Sequence, residues 1–364
     1  MTLDISHIVP FDNENQWSDL LAVMIEADAG CVAALLGPEV RTGVVIVNRE
    51  KVVNPHDRVD LLIEVNGCWR ILIEVKILSG LGRTQLSRYR EAFPGMAHYL
   101  VISPARLPVD ISVDPDWRSV TWEALLGAFC SSSQPWVAET AQAWLTHLDN
   151  VMPKVDARTV WNDLAEGENL RLAMKARMSW IFGELRPPAQ ISLTLTQSSA
   201  GGSPVVKMSQ SAAEPDYDIV VEAEERWPVY EWPKTVTALP AALLGPSIKV
   251  CLVQTHVDTS AGFDWNYLLK LWPAMEAARS DWVTASARPK AKHDKAAWEL
   301  MVACGGPKFL GIGFGDAQAK KARDCMFGAR FQLSPNHALG DVAKTMQEMT
   351  SLLQTLAAIS PPSG

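Results

Sequence analysis

Neither a CxxC pair nor a Cys/His cluster occurs among the six cysteines, Cys31, Cys68, Cys130, Cys251, Cys304 and Cys325, which are scattered along the chain. That scatter supports no zinc site and no disulfide framework, so reduced, buried thiols are expected. No apolar run reaches membrane-spanning length, and the opening MTLDISHIVPFDN has neither a basic region nor a signal-like apolar core. The expectation is a cytoplasmic protein without a membrane partner. GxSxG, P-loop and HExxH motifs are absent, which removes the hydrolases, NTPases and zinc proteases that those motifs mark. No internal repeat is convincing. An excess of positive charge is lacking too: the net charge is -8, a mild argument against a sequence-independent nucleic-acid binder.

What is present is a chain of 364 residues, 48% of them hydrophobic, with mean hydropathy near zero, long enough for two domains and a substantial core. One stretch runs against the overall charge. From Arg58 to Arg90 there are six basic residues (Arg58, Arg70, Lys76, Arg83, Arg88, Arg90) against three acids (Asp60, Glu64, Glu74), a local sign that suits phosphate.

The same stretch places charge where a buried strand would exclude it. Read as a strand, RILIEVKI sets Leu72, Glu74 and Lys76 on one face and Ile71, Ile73 and Val75 on the other. A carboxylate and an ammonium inside an aliphatic run are costly to bury without a partner or a metal. An ion-paired sheet edge is the plain alternative for such a pair; the flanking aliphatics and a preceding acid weigh against it. That acid is Asp60, on a second strand, DLLIEV, joined to the first through Asn66-Gly67, a strong hairpin signal. A tight two-residue turn would pair Asp60 with Ile73 and turn it away from Glu74. A three-residue loop, Val65-Asn66-Gly67 with Gly67 left-handed, would pair Asp60 with Leu72 and bring it diagonal to Glu74 on one face. The odd-length loop, or an equivalent bulge near Asp60, is expected. Asp57, the competing acid, is better explained by an Asx turn in Asn54-Pro55-His56-Asp57.

After a Ser79–Gly82 loop, Thr84 can cap a helix on which Gln85, Arg88 and Tyr89 fall at i, i+3 and i+4 and form one polar face. Before the strands, residues 14–36 read as a helix with Asn13 as cap and Gly37-Pro38 as its stop. Glu14 in its first turn has the helix dipole as an equally good reason to be there. Strands at 42–53, 60–65 and 70–77 make an antiparallel meander, 97–103 adds in parallel, and a helix at 122–129 covers a mixed sheet.

Asp60, then Glu74-x-Lys76, then Gln85-x-x-x-Tyr89 resembles the PD-(D/E)XK nuclease superfamily, in its RecB-like branch. The proline that this family carries before the first acid is missing, since Val59 precedes Asp60. Glu14 stands where the family places a first-helix glutamate, and HYLVISP and SVTWEALLGAF look like the segments that come after its core; the resemblance covers roughly residues 10–130. It implies a restriction-endonuclease-like α/β fold and Mg²⁺- or Mn²⁺-dependent hydrolysis of phosphodiester bonds, in DNA before RNA. It also implies oxygen ligands from Asp60, Glu74 and the Val75 carbonyl, with Glu14 extending the set. Lys76 would orient or deprotonate water or stabilise the phosphate, and Gln85, Arg88 and Tyr89, with Arg83, would hold the nucleic-acid backbone. The alternative is an inactive nuclease fold that binds nucleic acid, a second copy or another protein. Anti-phage defence or DNA repair is suggested by analogy only.

The organisation expected is a nuclease-like domain at 1–150, a helical bridge at 151–188 and an α+β accessory domain at 189–364. A further helix is expected at 136–148, before the bridge, and another at 159–183, within it. Beyond it, a hairpin over 191–211, strands at 217–222, 248–256, 308–314 and 330–333, and helices at 264–281, 294–303, 316–326 and 338–358 are read from pattern. Three features there carry weaker signals. Gly311-Ile312-Gly313-Phe314-Gly315 reads as a strand-to-helix turn rather than a phosphate loop. Arg288, Lys290, Lys292, His293 and Lys295 read as a solvated basic loop, with Lys290 and Lys292 as candidate DNA contacts. Glu222 to Glu225 with Trp227, Tyr230 and Trp232 reads equally as a core strand with an acidic turn or an interaction edge.

Overall fold

The computed structural model describes residues 5–10, 13–41, 43–54, 57–77, 80–81, 84–111, 114–164, 169–197, 204–224, 245–257, 260–283, 292–307 and 324–361. These form two compact units, Met1–Lys154 and Val155–Gly364.

In the first unit, α1 (Glu14–Asp28) starts where Asn13 Oδ1 accepts the Gln16 N–H at 3.4 Å. The helix expected to run to residue 36 breaks into a 3-10 turn, Ala29–Val32, and the short α2 (Ala33–Leu36). Gly37 ends it at φ 116, where a Cβ would stand 2.4 Å from the Trp69 ring, so conformation and space both demand glycine. Strands β1 (Val45–Asn54), β2 (Asp57–Val65), β3 (Trp69–Val75), β4 (His98–Ser103) and β5 (Trp117–Thr121) follow in sheet order. The first three pair antiparallel, and β4 and β5 add in parallel. Between β3 and β4 lies α3 (Gln85–Ala92), and after β5 come α4 (Trp122–Phe129) and α5 (Pro135–Val151). The mixed sheet matches the expectation; β5 does not, because WRSVT is too short and polar to announce itself. Asp57 opens β2; residues 55–56 of the Asx turn expected before it lie outside the described residues.

The two faces of the sheet are covered by different helices. Arg49, level with Leu61 and Ile73, pairs with Asp19 of α1, so α1 lies on the face of Ile71, Ile73 and Val75. On the other face Leu86 and Tyr89 of α3 pack with Leu62, Leu72, Tyr99, Val101 and Trp117.

The second unit starts from α6 (Leu170–Glu184), capped by Asn169 Oδ1 on the Leu172 N–H at 3.1 Å. Of the helical bridge expected at 151–188, α6 buries Leu170, Met174, Met178 and Ile181 in this unit's core. Residues 159–164, expected as helix, hold instead an isolated bridge, Val160 to Ala338. Strands β6 (Ser192–Gln197), β7 (Pro204–Ser211), β8 (Tyr217–Glu224), β9 (Ser247–Gln254) and β10 (Cys325–Gln332) form an antiparallel sheet in that order. Helices α7 (Trp265–Ala278), α8 (Lys292–Ala303) and α9 (Leu339–Ala357) complete the unit, and Val342, Met346, Met349, Leu353 and Leu356 of α9 are buried as its apolar stripe implies. Cys325 and Met326, expected at a helix end, lie in β10. Lys292 and Lys295, expected in a loop, lie in α8. Residues 225–232, Lys290 and the 308–315 strand and turn are outside the described residues, as is most of the helix expected at 316–326.

Among the described residues no helix is long and apolar enough to cross a membrane. The cysteines form no disulfide; Cys251 and Cys325 are buried, whereas Cys68 and Cys304 are exposed, against the expectation of uniformly buried thiols.

Candidate functional site

The hairpin that carries the two acids settles their register. Asn66 (φ 52) and Gly67 (φ 71) are both left-handed, and Cys68 N donates to Val65 O at 3.2 Å, the pattern of a type I′ turn. Yet Val65 pairs with Trp69, so Cys68 is an extra residue and the loop is three residues long, Asn66-Gly67-Cys68. The odd length expected from the chemistry is present, one residue further along than expected. The ladder ends at the Leu61–Ile73 pair, so Asp60 is not paired with Leu72; it meets β3 through the Val75 N–H instead, near enough to Glu74 for the two charges to act on each other. Asn66 is fixed in turn by Val44: their backbones bond at 2.9 Å, and the Val44 N–H donates to Asn66 Oδ1 at 2.9 Å.

At this end β3 parts from β2, and carboxylates take over as acceptors for its backbone. Val75 N donates to Asp60 Oδ2 at 2.7 Å, and Ile77 N donates to Glu14 Oε1 at 2.7 Å, while Lys76 N stays in the parallel ladder to Ile102 O at 2.8 Å. Alternate amides of an extended strand point to opposite edges, so two acids from α1 and β2 cap the side that no strand covers.

Glu74 and Lys76 project toward α3. Glu74 is 2% exposed and Lys76 7%, with Lys76 Nζ 2.6 Å from Glu74 Oε1. Gln85 Nε2 donates to the same oxygen at 2.7 Å and to the Tyr89 hydroxyl at 2.8 Å; that hydroxyl donates to Arg58 O at 2.7 Å. The directions are forced, because the Gln85 amide supplies both protons and Tyr89 passes its own to a carbonyl. Glu74 Oε2, buried on the other side of the carboxylate, has no hydrogen-bond partner.

Electrostatics follow from this crowding. Burial, then the neighbouring Glu74 charge, push the Asp60 carboxyl well above the usual carboxylate range. Burial also raises Glu74, against the pull of Lys76. For Lys76 burial works downward, but the Glu74, Glu14 and Asp60 charges overcome it and hold the ammonium above its ordinary value. Burial and the Glu74 charge push Tyr89 up to about 12. Between the ordinary Asp value of 3.8 and its raised folded value, the folded chain keeps a proton that the unfolded chain has released, so this group's contribution to stability falls as pH rises. In EDTA, Asp60→Asn is therefore expected to melt higher than the wild type by a margin that widens from pH 4 toward neutrality. Melting scans across that range check it; a margin independent of pH would contradict the burial of this charge.

No family model, curated protein or solved structure matches the chain. The site is thus judged on its own chemistry. Among the described residues no group of three or more His, Cys, Asp or Glu stands so as to hold a metal ion, and Glu14 is not gathered with Asp60 and Glu74 into such a set. What remains for a hard cation is two neighbouring carboxylates, one with a buried oxygen left bare, beside the backbone of Val75. That donor set is oxygen-only, as Mg²⁺ and Mn²⁺ prefer, and these ions keep several waters when few protein groups bind them.

The polar face of α3 lies over the strand end, with Gln85 bonded to Glu74 and Tyr89 to Arg58 O. Arg88 donates to Thr84 Oγ1 at 3.0 Å; Thr84 stands at the N-cap position before Gln85, as expected, but at φ 60 and with no side-chain cap bond. Arg83 lies outside the described residues. One group escaped the sequence reading altogether: Asp114, 1% exposed, bonded to Ser87 and Arg90 on the opposite side of α3. Its only signal was a second polar pair, one turn apart, on a short helix.

Proposed function

We propose that the first unit is a metal-dependent nuclease of the PD-(D/E)XK type with a restriction-endonuclease-like sheet, hydrolysing phosphodiester bonds, in DNA before RNA. The observation that carries the reading is the meeting of Asp60, Glu74 and Lys76 at one strand end, with the Glu74 Oε2 atom buried and bare. A buried carboxylate oxygen without a partner is costly, and a cation would remove that cost.

Mg²⁺ or Mn²⁺ held by Asp60, Glu74 and the Val75 carbonyl would supply Lewis-acid polarisation of the phosphate and a more acidic water. The chain's own residues supply the rest. Lys76, charged and fixed beside Glu74, stabilises negative charge developing on the phosphate; its raised affinity for the proton makes it an electrostatic group rather than a base. Gln85 and Tyr89 act one step back: they hold the Glu74 carboxylate through Oε1 and leave Oε2 to a cation. Partners of metal ligands commonly do this.

A second reading is favoured by one observation: Asp60 and Glu14 each satisfy a backbone amide of β3, a structural duty that needs no ion. An inactive module of this fold that binds nucleic acid or a protein would keep both. Incubation with linear, circular and single-stranded DNA and with RNA, in Mg²⁺ and in EDTA, separates the two. Cleavage in Mg²⁺ alone is expected; binding without cleavage of any substrate favours the module.

A further inference from the structure

We propose that Asp114 is a positioning residue for this site: it anchors the outer side of α3 and thereby sets the reach of Gln85 to Glu74. The inference rests on the nuclease reading only for its effect on rate, not for its effect on Gln85.

An eight-residue helix that enters through a left-handed residue with no side-chain cap is marginal by itself, so its seat must come from tertiary contacts. Its apolar contacts, Leu86 and Tyr89 against Leu72, Tyr99, Val101 and Trp117, are non-directional and tolerate sliding. The contacts to Asp114 do not. Ser87 Oγ donates to Asp114 Oδ2 at 3.2 Å, and Arg90 Nη1 donates to Asp114 Oδ1 at 3.0 Å, so the two oxygens of one carboxylate grip residues one turn apart. Asp114 is itself immobile. Its N–H donates to Ile111 O at 3.0 Å, its carbonyl accepts from Trp117 N at 3.1 Å, and Trp117 opens β5. The sheet thus holds the helix from the side opposite Gln85, whose 2.7 Å bond to Glu74 would not survive a shift of about 0.5 Å unchanged. Arg90 also pairs with Asp116, so it keeps a partner when Asp114 is neutralised, and the isosteric change isolates the grip.

The experiment compares the full-length chain with Asp114→Asn, Gln85→Ala and the double variant, with Ser87→Ala as a milder change should Asp114→Asn fold poorly. Two quantities are read: the Mg²⁺-dependent cleavage rate, and the solvent protection of the Gln85 side-chain amide by NMR, its signal assigned by its loss in Gln85→Ala. Asp114→Asn is expected to lower kcat about tenfold with little change in KM, to deprotect the Gln85 amide, and to cost nothing further when Gln85 is already alanine. Ser87→Ala moves both readouts the same way by less. Equal slowing in both backgrounds, or an unchanged Gln85 amide, would overturn the proposal. Should the wild type cleave nothing, the nuclease reading fails alone, and the amide signal still decides whether Asp114 sets Gln85.

Discussion

Glu74→Gln is expected to lower Mg²⁺-dependent cleavage at least about 10³-fold, the scale set by removing a group that holds or stabilises charge in a water-poor site. The substitution keeps the shape of the side chain and an oxygen for Gln85, so the network to Tyr89 and Arg58 O has reason to persist. What it removes is the negative charge. Lys76 keeps its own charge and loses its 2.6 Å partner, so the variant is also expected to melt below the wild type, and rates belong well under that temperature. Initial rates on one duplex substrate, with circular dichroism as a control for folding, measure it. A rate within about tenfold of the wild type would remove Glu74 from the chemistry.

Lys76→Met is expected to destabilise the chain by about 3–5 kcal/mol at neutral pH, the cost of leaving one member of a buried ion pair uncompensated. The side chains of Lys76 and Glu74 are 8% and 3% exposed, which separates this pair from the surface pairs of the chain such as Arg58–Glu50, at 64% and 43%, where about 0–1 kcal/mol is typical. Glu74 is already raised by burial, and without the ammonium it takes up a proton more readily still. The folded state then binds the extra proton, so the penalty shrinks as pH falls. Replacing both, Glu74→Leu with Lys76→Met, should recover most of the loss and give a stable chain without activity. Urea unfolding of the three variants at two pH values decides it. A loss below about 1 kcal/mol for Lys76→Met would show that water reaches the pair.

Those two expectations bear on how far the sequence was legible. RILIEVKI announced both the strand and its misplaced charges because period-two alternation is a local property, visible without the fold. The hairpin was half legible. Asn-Gly correctly signals left-handed residues, but whether one residue more joined the loop depended on how Val65 met Trp69 across the turn, and on Asn66 bonding to Val44 of a third segment. The shared face of Asp60 and Glu74 was legible from the chemistry they would need, not from the turn. Gln85 and Tyr89 share the helix face that their spacing predicts, and that face lies over the strand end; spacing does not say which carboxylate it meets there. Asp114 was invisible because its partners, Ser87 and Arg90, lie 27 and 24 residues away, and nothing local distinguishes such an acid from a turn residue. The break of the first helix at Ala29 has one marker, Gly30, which the apolar, helix-favouring run around it outweighs.

The central claim is that Asp60 and Glu74 together present oxygens to a divalent cation, and calorimetric titration of the metal-free chain with Mn²⁺ tests it most directly. A single site is predicted in the wild type and lost in both Asp60→Asn and Glu74→Gln, each shown by circular dichroism to be folded. No binding by the wild type, or undiminished binding by both variants, would contradict it.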